Sequence, residues 1–329
     1  MHLFSNFFYL ITTGFSLLDI YFRYRLWGKD QRGARAFLSD QIPHIDQLDS
    51  PLQKRINHYL FANAITTDWF AKLHGICVSE QERKAGVLLA AATPIADYMA
   101  DNLGMTKSEI LRIIEKPQNT ILELVSSTLY YKAISLHQDR LQFEMYFQKT
   151  LEAQDKSLHQ RKSNESLSLL KKITWDKGGY ALLLYRSVIQ KEMTRDEEDA
   201  IYQLGGLMQL HNDIFDVYRD YHDAIRTIPL MIKNMHTLEI FYQEEVKKTL
   251  HLFQKLSPGT HNYHQFFMLF NLTIQTGFVC IDHYRRLCSA TNGILHVEQW
   301  SKNQLICDMD TFKNLMKVIL GSLGLQSKG

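Results

Sequence analysis

The chain has 329 residues, with 37 Lys+Arg against 35 Asp+Glu and a formal net charge of +2. Apolar residues at 45% and charged residues at 22% exclude wholesale disorder. The even charge balance, without a basic stripe or a block of five like charges, gives no electrostatic case for a nucleic-acid partner. Only 16 Gly and 6 Pro punctuate the chain, well under the usual share of about 12%, which argues against a sandwich, a propeller or a collagen-like rod.

In chain order, Phe4 to Ile20 is apolar but interrupted by Asn6, Thr12, Thr13, Ser16 and Asp19. A spanning helix wants about 20 predominantly apolar residues, and a signal peptide wants early Lys/Arg and a small-residue cleavage site. The following Tyr-Phe-Arg-Tyr-Arg-Leu-Trp-Gly-Lys run sets aromatics beside Arg23, Arg25 and Lys29, which suits a membrane interface. A helix packed on the domain is the plainer alternative, and an apolar lid is a third. Residues 1–30 are therefore read as an N-terminal amphipathic helical segment, and 31–329 as one α-helical domain.

Helix punctuation recurs downstream. Ser50-Pro51 is expected to be an N-cap followed by Pro at N1, with Gly75 closing that helix. Ser79 with Glu82 reads as a capping box, a device repeated at Thr106/Glu109 and Thr194/Glu197. Gly104 suits a C-terminal turn. Between these marks apolar residues recur at three and four, as in Leu122, Val125, Leu129 and Leu136. The pattern predicts an all-α bundle of about ten helices near 51–74, 80–103, 107–116, 119–138, 140–160, 178–192, 195–221, 236–256, 262–289 and 296–321. Pro94 should kink the second of these just before Asp97. Gln160–Asn164 reads as a loop or hinge. Cys77, Cys280, Cys288 and Cys307 form no CxxC pair, so a reducing, cytoplasmic setting is expected, with membrane association open.

The chemistry concentrates in the run Gly205 to Asp220. Asn212, Asp216 and Asp220 fall at i, i+4 and i+8, one stripe of a helix. Their oxygens form a donor set suited to a hard cation such as Mg²⁺. Asp213 lies about 100° off that stripe, so it is expected to support or cap rather than to ligate. A solvated acidic face is the alternative, but Leu204, Leu207, Met208, Leu210, Ile214, Phe215 and Val217 flank these oxygens. Charges on so apolar a helix are costly unless paired or metal-bound. A second acidic pair, Asp97 and Asp101, sits one turn apart on the Pro94 helix. Two such helices face to face would hold Mg²⁺ only with a strongly anionic ligand, a diphosphate above all, completing the octahedron.

These residues resemble the class I isoprenoid (terpenoid) synthases. Asn212-Asp213-x-x-Asp216-x-x-x-Asp220 is similar to their second metal motif, NDxxSxxxE, with Asp at the Ser/Thr and Glu positions. The wider Gly205-x-x-x-Gln209-x-x-Asn212-Asp213-x-x-Asp216 and the later Arg226-Thr227-Ile228-Pro229 resemble segments of trans-prenyl diphosphate synthases. Asp97-x-x-x-Asp101 is similar to the first acidic motif of squalene and phytoene synthases. Lys177-Gly178-Gly179-Tyr180 looks like a segment of large-terpene synthases of the tetraprenyl-curcumene type. The resemblance implies a helical bundle around a central apolar cavity, with Asp97, Asp101, Asn212, Asp216 and Asp220 as Mg²⁺ ligands and catalytic groups. It implies Lys177, Arg186, Arg226, Tyr284 and Arg286 as diphosphate contacts. Each of the four cations could equally be a surface charge. Arg219, inside the metal motif, is a further cation.

The function so implied is Mg²⁺-dependent ionisation of a prenyl diphosphate to a cyclic or linear terpenoid. Elongating synthases resemble one another in an Arg-Arg pair after the first acidic motif, whereas Asp101 is followed here by Asn-Leu-Gly-Met-Thr-Lys. That favours a lyase over chain extension, while head-to-head coupling, a non-catalytic isoprenoid binder and a structural scaffold stay open. The partner is a prenyl diphosphate and not a nucleic acid, with peripheral membrane contact and a homodimer left open. His137, His211, His222 and His283 lie in helices without a Glu-x-x-His pattern, and HExxH, GxSxG, P-loop and GxGxxG motifs are absent.

Overall fold

The computed structural model describes residues 2–26, 33–161, 166–256 and 261–324. Lys29 and residues 162–164 of the expected loop lie outside them. The helices are α1 (His2–Arg25), α2 (Gly33–Gln41), α3 (Ser50–Leu73), α4 (Glu80–Asp101), α5 (Lys107–Glu115), α6 (Ile121–Leu136), α7 (Arg140–Ser157) and α8 (Leu167–Arg186). They continue as α9 (Arg195–Phe215), α10 (Val217–His222), α11 (Ile228–Met231), α12 (Met235–Gln254), α13 (His261–Leu287), α14 (Lys302–Leu305) and α15 (Phe312–Ser322). Among the described residues no strand forms, only an isolated antiparallel bridge between Asn234 and Ile294. No described helix is long and apolar enough to cross a membrane.

Local chemistry sets these boundaries. Ser79 and Glu82 close a reciprocal capping box on α4, and Thr106 and Glu109 do so on α5. Each such box stabilises its helix by about 1 kcal/mol. Thr194 accepts the Glu197 amide at the start of α9. The cap of α3 is Asp49, one residue before the expected Ser50, and its Oδ1 accepts the Leu52 amide at 2.8 Å. Gly75 and Gly104 take left-handed φ of 65° and 66° after their helices, where glycine is favoured.

Three expected helices differ. The 178–192 helix begins eleven residues earlier, because Gly178-Gly179 sits in the helix interior rather than at its start. The 195–221 helix is interrupted at Asp216. The 296–321 helix divides: Asp308 Oδ1 turns back to accept the Asp310 amide at 2.8 Å, and Thr311 caps a new start for α15.

The residues fall into two compact units. One comprises 1–13, 156–179 and 193–329; the other comprises 14–155 and 180–192. In the second unit α4 packs on α3 and α6, burying Ile56, Phe70, Leu88, Ile95, Val125 and Leu129. α4 runs unbroken through Pro94. In the first unit α9, α12 and α13 pack together and α15 lies on α13, burying Leu207, Leu210, Leu238, Tyr242, Phe266 and Ile274. A buried polar chain also ties this unit. Trp175 Nε1 donates to Gln203 at 2.9 Å, Gln203 donates to Glu245 at 2.9 Å, and Lys171 pairs with Glu245.

Candidate functional site

The site in the first unit starts from four glycines. A Cβ built on Gly178 would stand 2.1 Å from the Gly205 carbonyl oxygen, and one on Gly205 would stand 2.2 Å from that of Gly178. Gly179 faces the Tyr202 ring and Gly206 the Trp175 ring just as closely. Helices α8 and α9 therefore cross backbone to backbone, which only glycine permits. One consequence is that Thr174 of α8 reaches Asp213 of α9, its Oγ1 donating at 3.4 Å. Gln209 holds the other Asp213 oxygen at 2.8 Å. Lys177, one turn beyond Thr174, places its positive charge on Asp213, Asp216 and Asp220 alike.

The acidic residues share one face. The Asp216 amide bonds the Asn212 carbonyl at 3.0 Å and the Asp220 amide bonds that of Asp216 at 2.8 Å, so turn-by-turn spacing survives the break. At that break Tyr284 Oη donates to the Ile214 carbonyl at 2.9 Å. Asn212 Nδ2 donates to Asp216 Oδ2 at 3.0 Å, and Arg219 pairs with Asp216 and lies 3.7 Å from Asp220. Asp213 and Asp220 are buried. Burial pushes the Asp213 carboxyl up to about 6, against the help of Gln209 and Lys177. Burial first, then the Asp213 and Asp216 charges, push Asp220 up to about 7. Asp216 is raised by burial alone, against the opposing help of Arg219, Asn212 and Lys177.

Asp213 thus belongs to the cluster itself, where the sequence reading gave it a supporting place. The reason is helical: Asp213, Asp216 and Asp220 stand at i, i+3 and i+7, which is also one stripe. Beside Asp220 opens a cavity of about 500 Å³. Arg161, Arg226 and Lys233 line it together with Ile225, Leu230, Met231, Leu295 and Val297, and Glu298 stands at its wall. Arg161 and Lys233 carry no motif that would mark them, since loop connections alone bring them there.

Other expected contacts have different work. Tyr284 is buried with its hydroxyl on the Ile214 carbonyl, so it braces the end of α9. Arg286 pairs with Asp282 on its own helix, as does Arg285 at 3.0 Å. In the second unit, Arg186 is wholly buried. It donates to the carbonyls of Ile189 and Lys191, each at 3.1 Å, and to His74 Nε2 at 2.9 Å. The guanidinium caps the chain that leaves α8, which corrects its expected role as a diphosphate contact. Arg186→Met should cost about 3 kcal/mol in a denaturant titration, because two buried carbonyls lose a charged donor.

Asp97 and Asp101, also in the second unit, have protein partners. Tyr59 Oη donates to Asp97 at 3.1 Å and Arg55 lies 3.7 Å away. Gln154 donates to Asp101 at 2.6 Å. Among the described residues, no three His, Cys, Asp or Glu side chains gather closely enough to hold a metal ion unaided. The oxygen-only set at Asn212, Asp216 and Asp220 nonetheless fits a hard cation. Its crowded carboxylates are relieved by positive charge, and Mg²⁺ ordinarily takes one or two carboxylates plus phosphate oxygens.

No family model matches the chain and no curated protein matches it. Among solved structures it is similar to a dehydrosqualene synthase crystallised with a ligand, at 14% identity and a TM-score of 0.43, over 83% of this chain and 97% of that one. A likeness of that extent assigns no residue a role.

Proposed function

We propose that the first unit binds a prenyl diphosphate together with Mg²⁺ and ionises it, releasing diphosphate and forming a cyclic or linear terpenoid. The observation that carries the reading is the stripe of three carboxylates, Asp213, Asp216 and Asp220, whose last member lines a cavity that also has cations and apolar side chains in its wall. An amphiphilic anion fits that lining. Asn212, Asp216 and Asp220 would hold the metal, which when bound supplies Lewis-acid stabilisation of the leaving group. Asp213, fixed by Thr174 and Gln209, adds negative charge behind them. Lys177 offers a compact charge to phosphate oxygens, and Arg226 with Lys233 offers two more at the cavity. The apolar wall excludes water from the reacting carbon.

Loss of a single substrate's diphosphate suits this chain better than chain extension. The segment after Asp101 has one cation, Lys107, and its ammonium already lies 3.9 Å from Glu152. A non-catalytic isoprenoid binder is the second reading, favoured by the protein partners of Asp97 and Asp101. Incubation with radiolabelled farnesyl, geranylgeranyl and longer diphosphates separates the two. The expected result is Mg²⁺-dependent diphosphate release that falls about a hundredfold or more in Asp216→Ala. Longer diphosphate products would mean prenyl transfer instead. Retained lipid binding with no release at any chain length would mean a binder.

A further inference from the structure

Two distant segments of the first unit meet at the cavity beside Asp220, and one buried side chain ties them. Residues 158–161 form a short 3₁₀ turn. Gln160 is buried in it, while Arg161 next to it is exposed and lines the cavity. The Gln160 carbonyl accepts the Arg226 amide at 2.8 Å, and Gln160 Nε2 donates to the Arg226 carbonyl at 3.1 Å. Both main-chain polar groups of Arg226 are therefore held by one residue. The connection that carries Arg226 is fixed from its other side as well, where the Ile225 amide donates to the Asp220 carbonyl at 2.8 Å. Closing it so tightly puts Ala224 at a left-handed φ of 54°, which a residue with a Cβ adopts only at a cost.

The effect is to bring Arg161 and Arg226 to one cavity, with Lys233 in the same lining. Like charges gathered in this way repel unless an anion lies among them. Asp220, at the same cavity, takes its main countercharge from Arg219 and Lys177. A planar guanidinium can hold two phosphate oxygens at once, and an anchored main chain removes part of the ordering cost of doing so. We propose that Arg161 is a further phosphate-binding residue and that Gln160 is a positioning residue, holding Arg161 and Arg226 where one diphosphate can bridge them. This rests on the reading of the cavity as a diphosphate site.

Isothermal titration calorimetry of the full chain with inorganic diphosphate and Mg²⁺ tests this. Arg161→Met should weaken diphosphate binding roughly tenfold, with the melting temperature unchanged because the side chain is exposed. Gln160→Met should weaken it by a similar factor and also lower the melting temperature, since the Arg226 carbonyl loses its donor. In a chain that already carries Arg161→Met and Arg226→Met, adding Gln160→Met should change the affinity less than about twofold, because the cations it positions are gone. An equally large effect of Gln160→Met in that background makes Gln160 merely structural and overturns its positioning role. Parental affinity in both single variants, with binding lost in Asp216→Ala, overturns the proposal and leaves the diphosphate reading standing. A parent chain that takes no diphosphate with Mg²⁺ overturns that reading, and this proposal with it.

Discussion

At pH 8, Asp220→Asn is expected to raise the melting temperature of the ligand-free chain, by about 3–6 °C for a gain of about 2 kcal/mol. Burial and the Asp213 and Asp216 charges hold the folded-state carboxyl up at about 7, far above its value of about 3.9 in an unfolded chain. Between those two values the native state binds the extra proton, so stability falls as pH rises through the window and is lowest above it. Asparagine carries no such penalty. The gain should therefore grow from pH 4 to pH 7 and level off beyond. His211, buried and pushed down to about 4, titrates with the opposite sign, but it is common to both proteins and cancels in their difference. With Mg²⁺ and diphosphate the order should invert, because the parent gains by mass action what the variant cannot. Differential scanning calorimetry across pH, with and without those ligands, reads both effects. A variant that melts lower at pH 8 would make Asp220 a structural partner of Arg219. A gain that survives the ligands would remove the metal and diphosphate reading.

Much of this arrangement is written locally. The capping boxes at Ser79 and Thr106 and the left-handed glycines at 75 and 104 are decided within a few residues, and the chain forms them as the spacing predicts. The run from Leu204 to Val217 announces a buried helix bearing oxygens for the same reason. What escapes local spacing depends on distant partners. Gly178-Gly179 looks like a break in sequence and becomes a helix interior only because Gly205 and Tyr202 come from α9 to meet it. Arg186 looks like a free cation until the carbonyls of Ile189 and Lys191 fold back on it. Asp213 was legible in principle, since i, i+3 and i+7 trace a stripe as well as i, i+4 and i+8 do. Its burial under Thr174 was not, because that contact exists only where α8 crosses.

That crossing makes Gly205→Ala a sharp test. A methyl at Gly205 would sit 2.2 Å from the Gly178 carbonyl oxygen, 2.6 Å from its carbon and 2.7 Å from the Gly179 Cα. All three are backbone atoms, so no rotamer change relieves the overlap and the two helices must separate. Overpacking of this kind costs about 1–3 kcal/mol, and more where backbone must shift. Alanine's better helix propensity returns about 1 kcal/mol, which leaves a net loss of about 1–2 kcal/mol. The consequence for the site is larger than that number. Thr174 and Lys177 ride on α8, and Asp213, Asp216 and Asp220 follow on from α9, so a widened crossing withdraws both the hydrogen bond and the countercharge from the carboxylates. Thermal melts should show a moderate drop without ligand and a near-complete loss of the rise produced by Mg²⁺ and diphosphate. Gly178→Ala should reproduce both from the opposite helix, since its methyl would meet the Gly205 oxygen at 2.1 Å. If either variant keeps the parent's melting temperature and its ligand response, the glycine contact does not position the carboxylates.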